Sequence, residues 1–100
     1  MQQGAAVFEQ FVAMTRSIIE RDGLEGYLPT LLLPQRQDVH VLDDIPEDEE
    51  HEPIATNWAA EMVEDGKDYF LAFRTNASHF KVVARLEGRY QSQLCEIHAA

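Results

Sequence analysis

The sequence predicts a two-layer α+β domain in which two helices lie on one face of a mostly antiparallel sheet. Residues 5–22 and 53–66 carry apolar side chains at helical spacing, whereas residues 69–97 alternate between apolar and polar side chains as strands do. The segments between the predicted strands are short, which favours hairpins over parallel crossovers. The expected order of elements is α-β-β-α-β-β-β, in one domain spanning residues 1–100.

The first helix is predicted over residues 5–22, where apolar side chains recur on one stripe. Gly23 stands just past its end, where a left-handed residue often terminates a helix. The stripe consists of Phe8, Phe11, Val12, Thr15, Ile18 and Ile19. We expect it to pack on the sheet.

A first hairpin is predicted from two β-rich runs, residues 27–33 and 39–42, which are joined by five residues. Pairing Leu33 with Val39 closes this loop and places the odd-numbered residues of both runs on one face. Because Pro29 has no backbone donor, the first of these strands is expected at an edge of the sheet.

A second helix is predicted to begin near Pro53, because proline is tolerated in the first turn of a helix. Gly66 is expected to end it. Its apolar stripe consists of Ile54, Ala55, Trp58, Ala59 and Met62. Both helices are assigned to the same face of the sheet.

The last third of the chain is predicted to form three strands, residues 69–75, 79–85 and 89–97. With Gly88 as the left-handed residue of a three-residue loop, Arg85 pairs with Arg89. The face toward the helices is then expected to carry Tyr69, Leu71, Phe73, Phe80, Val82, Ala84, Tyr90 and Leu94. The opposite face is expected to carry Phe70, Ala72, Arg74, Lys81, Val83, Arg85, Arg89, Gln91 and Gln93.

The composition indicates a folded, acidic protein with a formal net charge of −10. This charge argues against binding to nucleic acid or to an anionic membrane surface, since both are polyanions. Cys95 is the only cysteine, so no intramolecular disulfide is expected. Neither a signal peptide nor an apolar run of membrane-spanning length is found, and a cytoplasmic location is expected.

Seven carboxylates fall between Asp43 and Glu52, a segment that we call the acidic run. Like charges repel one another and cannot be buried unpaired, so the acidic run is expected in water or against a cation. It also precedes the second helix, whose dipole favours negative charge there. Its proposed contact residues are Asp43, Asp44, Glu47, Asp48, Glu49, Glu50 and Glu52.

A metal or small-ligand site is the alternative use of this region. Its candidate ligands are His40, Asp43, Asp44 and His51, because imidazole nitrogens and carboxylate oxygens bind divalent cations. The acidic run lacks the alternating acidic pattern and the glycine of a calcium-binding loop. The leading expectation is therefore that no metal and no cofactor is bound.

No catalytic constellation is found in the sequence. Ser78 and His79 are adjacent in a predicted turn, but no orienting carboxylate stands at a recognisable distance from them. We therefore expect a protein without enzymatic activity.

The charge layout points instead to protein contacts. Residues 38–68 hold twelve of the eighteen acids and one base, whereas residues 69–95 hold four bases and one acid. The expected partner is another protein or a second copy of this chain, as in a homodimer. It is expected to bind to the acidic run or to the uncovered sheet face. The predicted contact residues on that face are Phe70, Arg74, Lys81, Val83, Arg85 and Arg89.

The element order and the acidity are similar to the general plan of type III secretion chaperones. That resemblance implies binding to extended segments of secreted proteins, commonly as a dimer, although this chain is predicted to end in a strand and not in a third helix. The sequence thus favours a small acidic interaction module of adaptor, chaperone-like or immunity type.

Overall fold

A computed structural model describes residues 3–46 and 48–97, with the backbone alone for residues 3–5. Its elements are α1 (Gln3–Asp22), β1 (Thr30–Leu33), β2 (Asp38–Val41), α2 (His51–Met62), β3 (Tyr69–Arg74), β4 (His79–Leu86) and β5 (Arg89–Glu96). The α+β class and the order α-β-β-α-β-β-β are confirmed. Neither described helix combines the length and the apolar character needed to cross a bilayer.

The five strands form one antiparallel sheet in the order β2-β1-β3-β4-β5. β1 therefore lies inside the sheet, paired on one side with β2 and on the other with β3, and its predicted edge position is wrong. Pro29 precedes β1, and its carbonyl accepts a hydrogen bond from the Leu42 N–H at 2.9 Å. Pro29 thus faces Leu42 at the end of the β1–β2 ladder and pairs with it through its carbonyl alone.

The two helices lie on opposite faces of the sheet, so the prediction that both cover one face is wrong. The cluster under α1 contains Phe8, Phe11, Val12, Ile19, Leu24, Phe70, Ala72, Phe80, Val82, Ala84 and Cys95. The cluster under α2 contains Leu31, Ala55, Ala59, Leu71 and Phe73. The cause is β3, where residues 70–73 are all buried and alternate between the two faces. Such a strand needs apolar cover on both sides.

The β1–β2 and β4–β5 turns differ from the predicted ones, because in each a residue other than glycine adopts the left-handed backbone conformation. Gln37 has a φ of 54°, and Leu33 pairs with Asp38 through a four-residue turn. Glu87 (φ 53°) and Gly88 (φ 79°) form a two-residue turn, which pairs Arg85 with Tyr90. Each change shifts the register by one residue and exchanges the faces of one strand relative to its partner.

The β3–β4 hairpin has the predicted loop at residues 76–78, but its faces differ from the predicted assignment. The Thr75 N–H donates to the His79 carbonyl at 3.0 Å, and Arg74 pairs with Phe80. Even-numbered residues of β3 therefore share a face with even-numbered residues of β4. As a result Phe70 and Ala72 join Phe80 under α1.

Candidate functional site

The predicted cationic sheet face does not form as one surface. Phe70 is only 1% exposed and lies in the core under α1. Arg74 and Arg89 pair with residues 80 and 86, whose parity places them on the α1 side of the sheet. Lys81, Val83 and Arg85 lie on the α2 side. The six residues are thus divided between two faces, both of which are partly covered by a helix.

The acidic run meets one of these bases within the same molecule. Glu52, in the first turn of α2, accepts a hydrogen bond from the Lys81 ammonium at 3.0 Å. Both side chains are partly exposed, so the stability gained from this ion pair is at most about 1 kcal/mol. The other described acids of the run are exposed, and Glu47 lies outside the described residues. These exposed acids are Asp43, Asp44, Asp48, Glu49 and Glu50.

His51 begins α2 and is only 5% exposed. Burial, and secondly the positive charge of Arg74, hold the pKa of His51 below its usual range. Within the described residues, the His51 Nδ1 and the Arg74 Nε are both buried without a hydrogen-bond partner. They line a cavity of about 200 Å³ whose other walls are Asp48, Glu49, Glu50 and Thr75.

The alternative metal site is not assembled in the part of the chain that the structure describes. In that part, no three histidine, cysteine, aspartate or glutamate side chains lie close enough together to hold an ion. His40, Asp43, Asp44 and His51 therefore do not converge on one point. The geometry gives no specific support to a metal-binding function.

Replacing His51 by glutamine is expected to reduce the loss of stability that acid causes. A histidine whose pKa is lowered by folding is protonated first in the unfolded chain, so the free energy of unfolding falls as the pH drops below about 6.5. Urea denaturation above and below this pH measures the loss, and His40→Gln is the control for removing a histidine. Equal acid-induced losses in the wild-type protein and in His51→Gln would contradict the prediction.

A serine, a histidine and a carboxylate do come together at one end of the sheet. The Ser78 Oγ lies 2.8 Å from the His79 Nδ1, and the His79 Nε2 lies 3.5 Å from the Glu96 Oε2. Glu96 could not be found from the sequence, because only the β4–β5 register places it opposite His79. The Ser78 N–H, however, donates to the Asn76 Oδ1 at 2.9 Å, so it is not free to stabilise an oxyanion. The group thus stabilises a hairpin loop.

The outer edge of β5 carries open backbone groups. The Ile97 N–H donates to the Ser78 carbonyl at 2.7 Å, so the backbone groups of odd-numbered residues in β5 point toward β4. Those of Tyr90, Ser92 and Leu94 point away from β4. Among the described residues no strand pairs with this side of β5. An edge of this kind is a template for pairing with another chain.

The side chains along this edge are uncharged, and two are large and apolar. Tyr90 is 67% exposed and Leu94 is 61% exposed. Arg85 lies beside Tyr90, with its guanidinium carbon 5.6 Å from the ring centroid, and Lys81 pairs with Leu94. We call Tyr90, Ser92 and Leu94 the β5 edge. It combines open hydrogen-bonding groups with apolar area and flanking positive charge.

The opposite edge of the sheet, β2, is protected in ways that β5 is not. β2 has only four residues, and the acidic run begins shortly after it ends. A short strand flanked by charge is a common device against edge-to-edge association. β5 has eight residues, and it has no proline or lysine. The two edges are therefore unequal, and β5 is the one suited to contact.

No protein-family model, no curated protein and no solved structure matches this chain.

Proposed function

We propose that this protein is a non-catalytic interaction module that binds a partner by adding a strand to the β5 edge. The open backbone groups of Tyr90, Ser92 and Leu94, described above, carry the proposal. In strand addition these groups supply affinity, and side chains on one face of the added strand supply specificity. Tyr90 and Leu94 offer apolar contacts on that face.

Charge beside the β5 edge is secondary to its backbone and apolar groups, because Lys81 on β4 already donates to Glu52 at 3.0 Å. Arg85 also flanks the edge on β4, with its guanidinium carbon 5.6 Å from the centroid of the Tyr90 ring. Charges arranged in this way contribute mainly to orientation and rate of association. The acidic run is the weaker candidate surface, because its negative charge is partly explained by the Lys81 ion pair and by the dipole of α2.

A display library of nine-residue peptides, screened against the purified protein, tests strand addition. Peptides that bind are expected to lose at least about tenfold in affinity against Ser92→Pro, since proline removes the outward N–H of this residue. Ser92→Ala is the matched control because it keeps the N–H and loses only the hydroxyl. Fluorescence anisotropy measures the dissociation constants.

Two results would overturn the proposed function. One is that the library yields no peptide that binds the wild-type protein. The other is that the selected peptides bind Ser92→Pro as tightly as Ser92→Ala, which would place their site elsewhere on the molecule.

A further inference from the structure

We infer that the strand added to the β5 edge belongs to a second copy of this chain, in a two-fold dimer with antiparallel β5 strands centred on Ser92. This inference rests on the proposed function and adds the identity and the register of the partner. A two-fold axis requires a self-complementary surface, so that each contact occurs twice. The β5 edge meets this requirement in its length, its open backbone groups and its side chains.

The open part of β5 is bounded at both ends, and Ser92 is its centre. At one end the chain turns back through Glu87 and Gly88. At the other end the Arg16 Nη1 donates to the Glu96 carbonyl at 2.8 Å and occupies the last outward acceptor. With respect to residues 3–46 and 48–97, three residues therefore remain open, with Ser92 in the middle. A symmetric partner strand centred there leaves the Arg16 contact undisturbed.

Centring on Ser92 aligns every open backbone group with an open group of the second copy. Tyr90 then lies opposite Leu94 of the other copy, and Ser92 lies opposite its own counterpart. All three are hydrogen-bonded pairs, in which two facing residues exchange both of their backbone hydrogen bonds. The exposed Tyr90 and Leu94 side chains cover each other on the α2 side of the sheet. On the α1 side, Gln91 lies opposite Gln93.

A two-fold axis perpendicular to the sheet requires the two paired β5 strands to run antiparallel. The net charge of −10 on each copy still opposes association at long range. Added salt screens this repulsion, so the dimer is expected to tighten as ionic strength rises.

Disulfide trapping tests the partner and the register together. In a Cys95→Ala background, an equimolar mixture of Gln91→Cys and Gln93→Cys is oxidised mildly and run on a non-reducing gel. In the mixture, Gln91→Cys of one copy faces Gln93→Cys of the other in a non-hydrogen-bonded pair, whose Cα separation of about 4.5 Å is within the range for a disulfide. In a dimer of either variant alone, each cysteine faces a glutamine and not the other cysteine. We expect a band of twice 11.4 kDa from the mixture and little from each variant alone.

Light scattering on the uncrosslinked protein gives a second readout. The wild-type protein and Ser92→Ala are expected at twice the mass of the chain. Ser92→Lys is expected as a monomer, with at least about a tenfold weaker association, because it places two like charges on the two-fold axis. Circular dichroism checks that Ser92→Lys keeps the fold.

The outcomes separate this inference from the proposed function. A monomeric wild-type protein, or a mixture that crosslinks no better than the single variants, overturns the second copy as the partner. If selected peptides still bind in a manner that Ser92→Pro abolishes, strand addition stands with a different partner. If no peptide binds in a manner that Ser92→Pro abolishes, both strand addition and the dimer are overturned.

Discussion

Replacing Phe70 by alanine is expected to destabilise the protein by about 3–5 kcal/mol, and Leu71→Ala by about 2–5 kcal/mol. Each side chain is 1% exposed, yet the two point to opposite faces, Phe70 toward α1 and Leu71 toward α2. A domain of this size is stable by only about 5–15 kcal/mol in total. Urea denaturation followed by circular dichroism measures both changes.

A sheet covered on one face would not give this result, because only one of two adjacent residues would then be buried. Gln91→Ala and Ser92→Ala supply the control pair, since both residues are exposed neighbours on one strand. Each of these changes is expected within about 0.5 kcal/mol of the wild-type protein. A tolerated alanine at either Phe70 or Leu71 would contradict the placement of a helix on that face.

Gln93→Pro is expected to destabilise the protein by about 1–3 kcal/mol more than Ser92→Pro, because it leaves a ladder carbonyl of β4 without its donor. Gln93 pairs with Val82 inside the sheet, whereas the N–H of Ser92 points to the open edge. Proline is accepted on an edge strand where its nitrogen faces outward. Thermal unfolding of the two variants measures the difference.

Each variant is the control for the other, since both place a proline ring in the same strand. The difference between them therefore reports the hydrogen bond and not the ring. Ser92→Pro also removes hydrogen bonds across the inferred dimer, so the two variants are compared at concentrations where light scattering finds monomers. Equal destabilisation, or a larger loss in Ser92→Pro, would then contradict the alternation of the β5 backbone.

The element order could be predicted because helical and alternating periods dominate local sequence. The layer arrangement could also have been found. Residues 69–73 read Tyr-Phe-Leu-Ala-Phe, and such an unbroken apolar run is typical of a strand buried on both faces. Treating it as an alternating strand led to the wrong placement of α2. The length of this apolar run and its place between polar segments indicate a strand that is buried on both faces.

The β1–β2 and β4–β5 registers could not be predicted, because they depend on two residues that lack the usual signature. Gln37 and Glu87 adopt positive φ, which is uncommon for residues other than glycine, asparagine and aspartate. Each one shifts a strand by one position and thereby moves its side chains to the other face. The shift at Glu87 moves Arg89 off the predicted contact face, whereas the parity of the β3–β4 hairpin moves Phe70 and Arg74 off it. That β5 is an edge follows from strand order, which no local pattern encodes.

The strand order also has a consequence for the way the chain acquires its structure during synthesis. The surface on which α1 packs is built from residues 70–95, all of which follow the helix in the chain. At about 5–20 residues per second, roughly 2–10 s pass between completion of α1 and the first residues of β3. During that interval Phe8, Phe11 and Val12 have no sheet to cover them. The apolar face of α1 is thus buried only after β3, β4 and β5 have been synthesised.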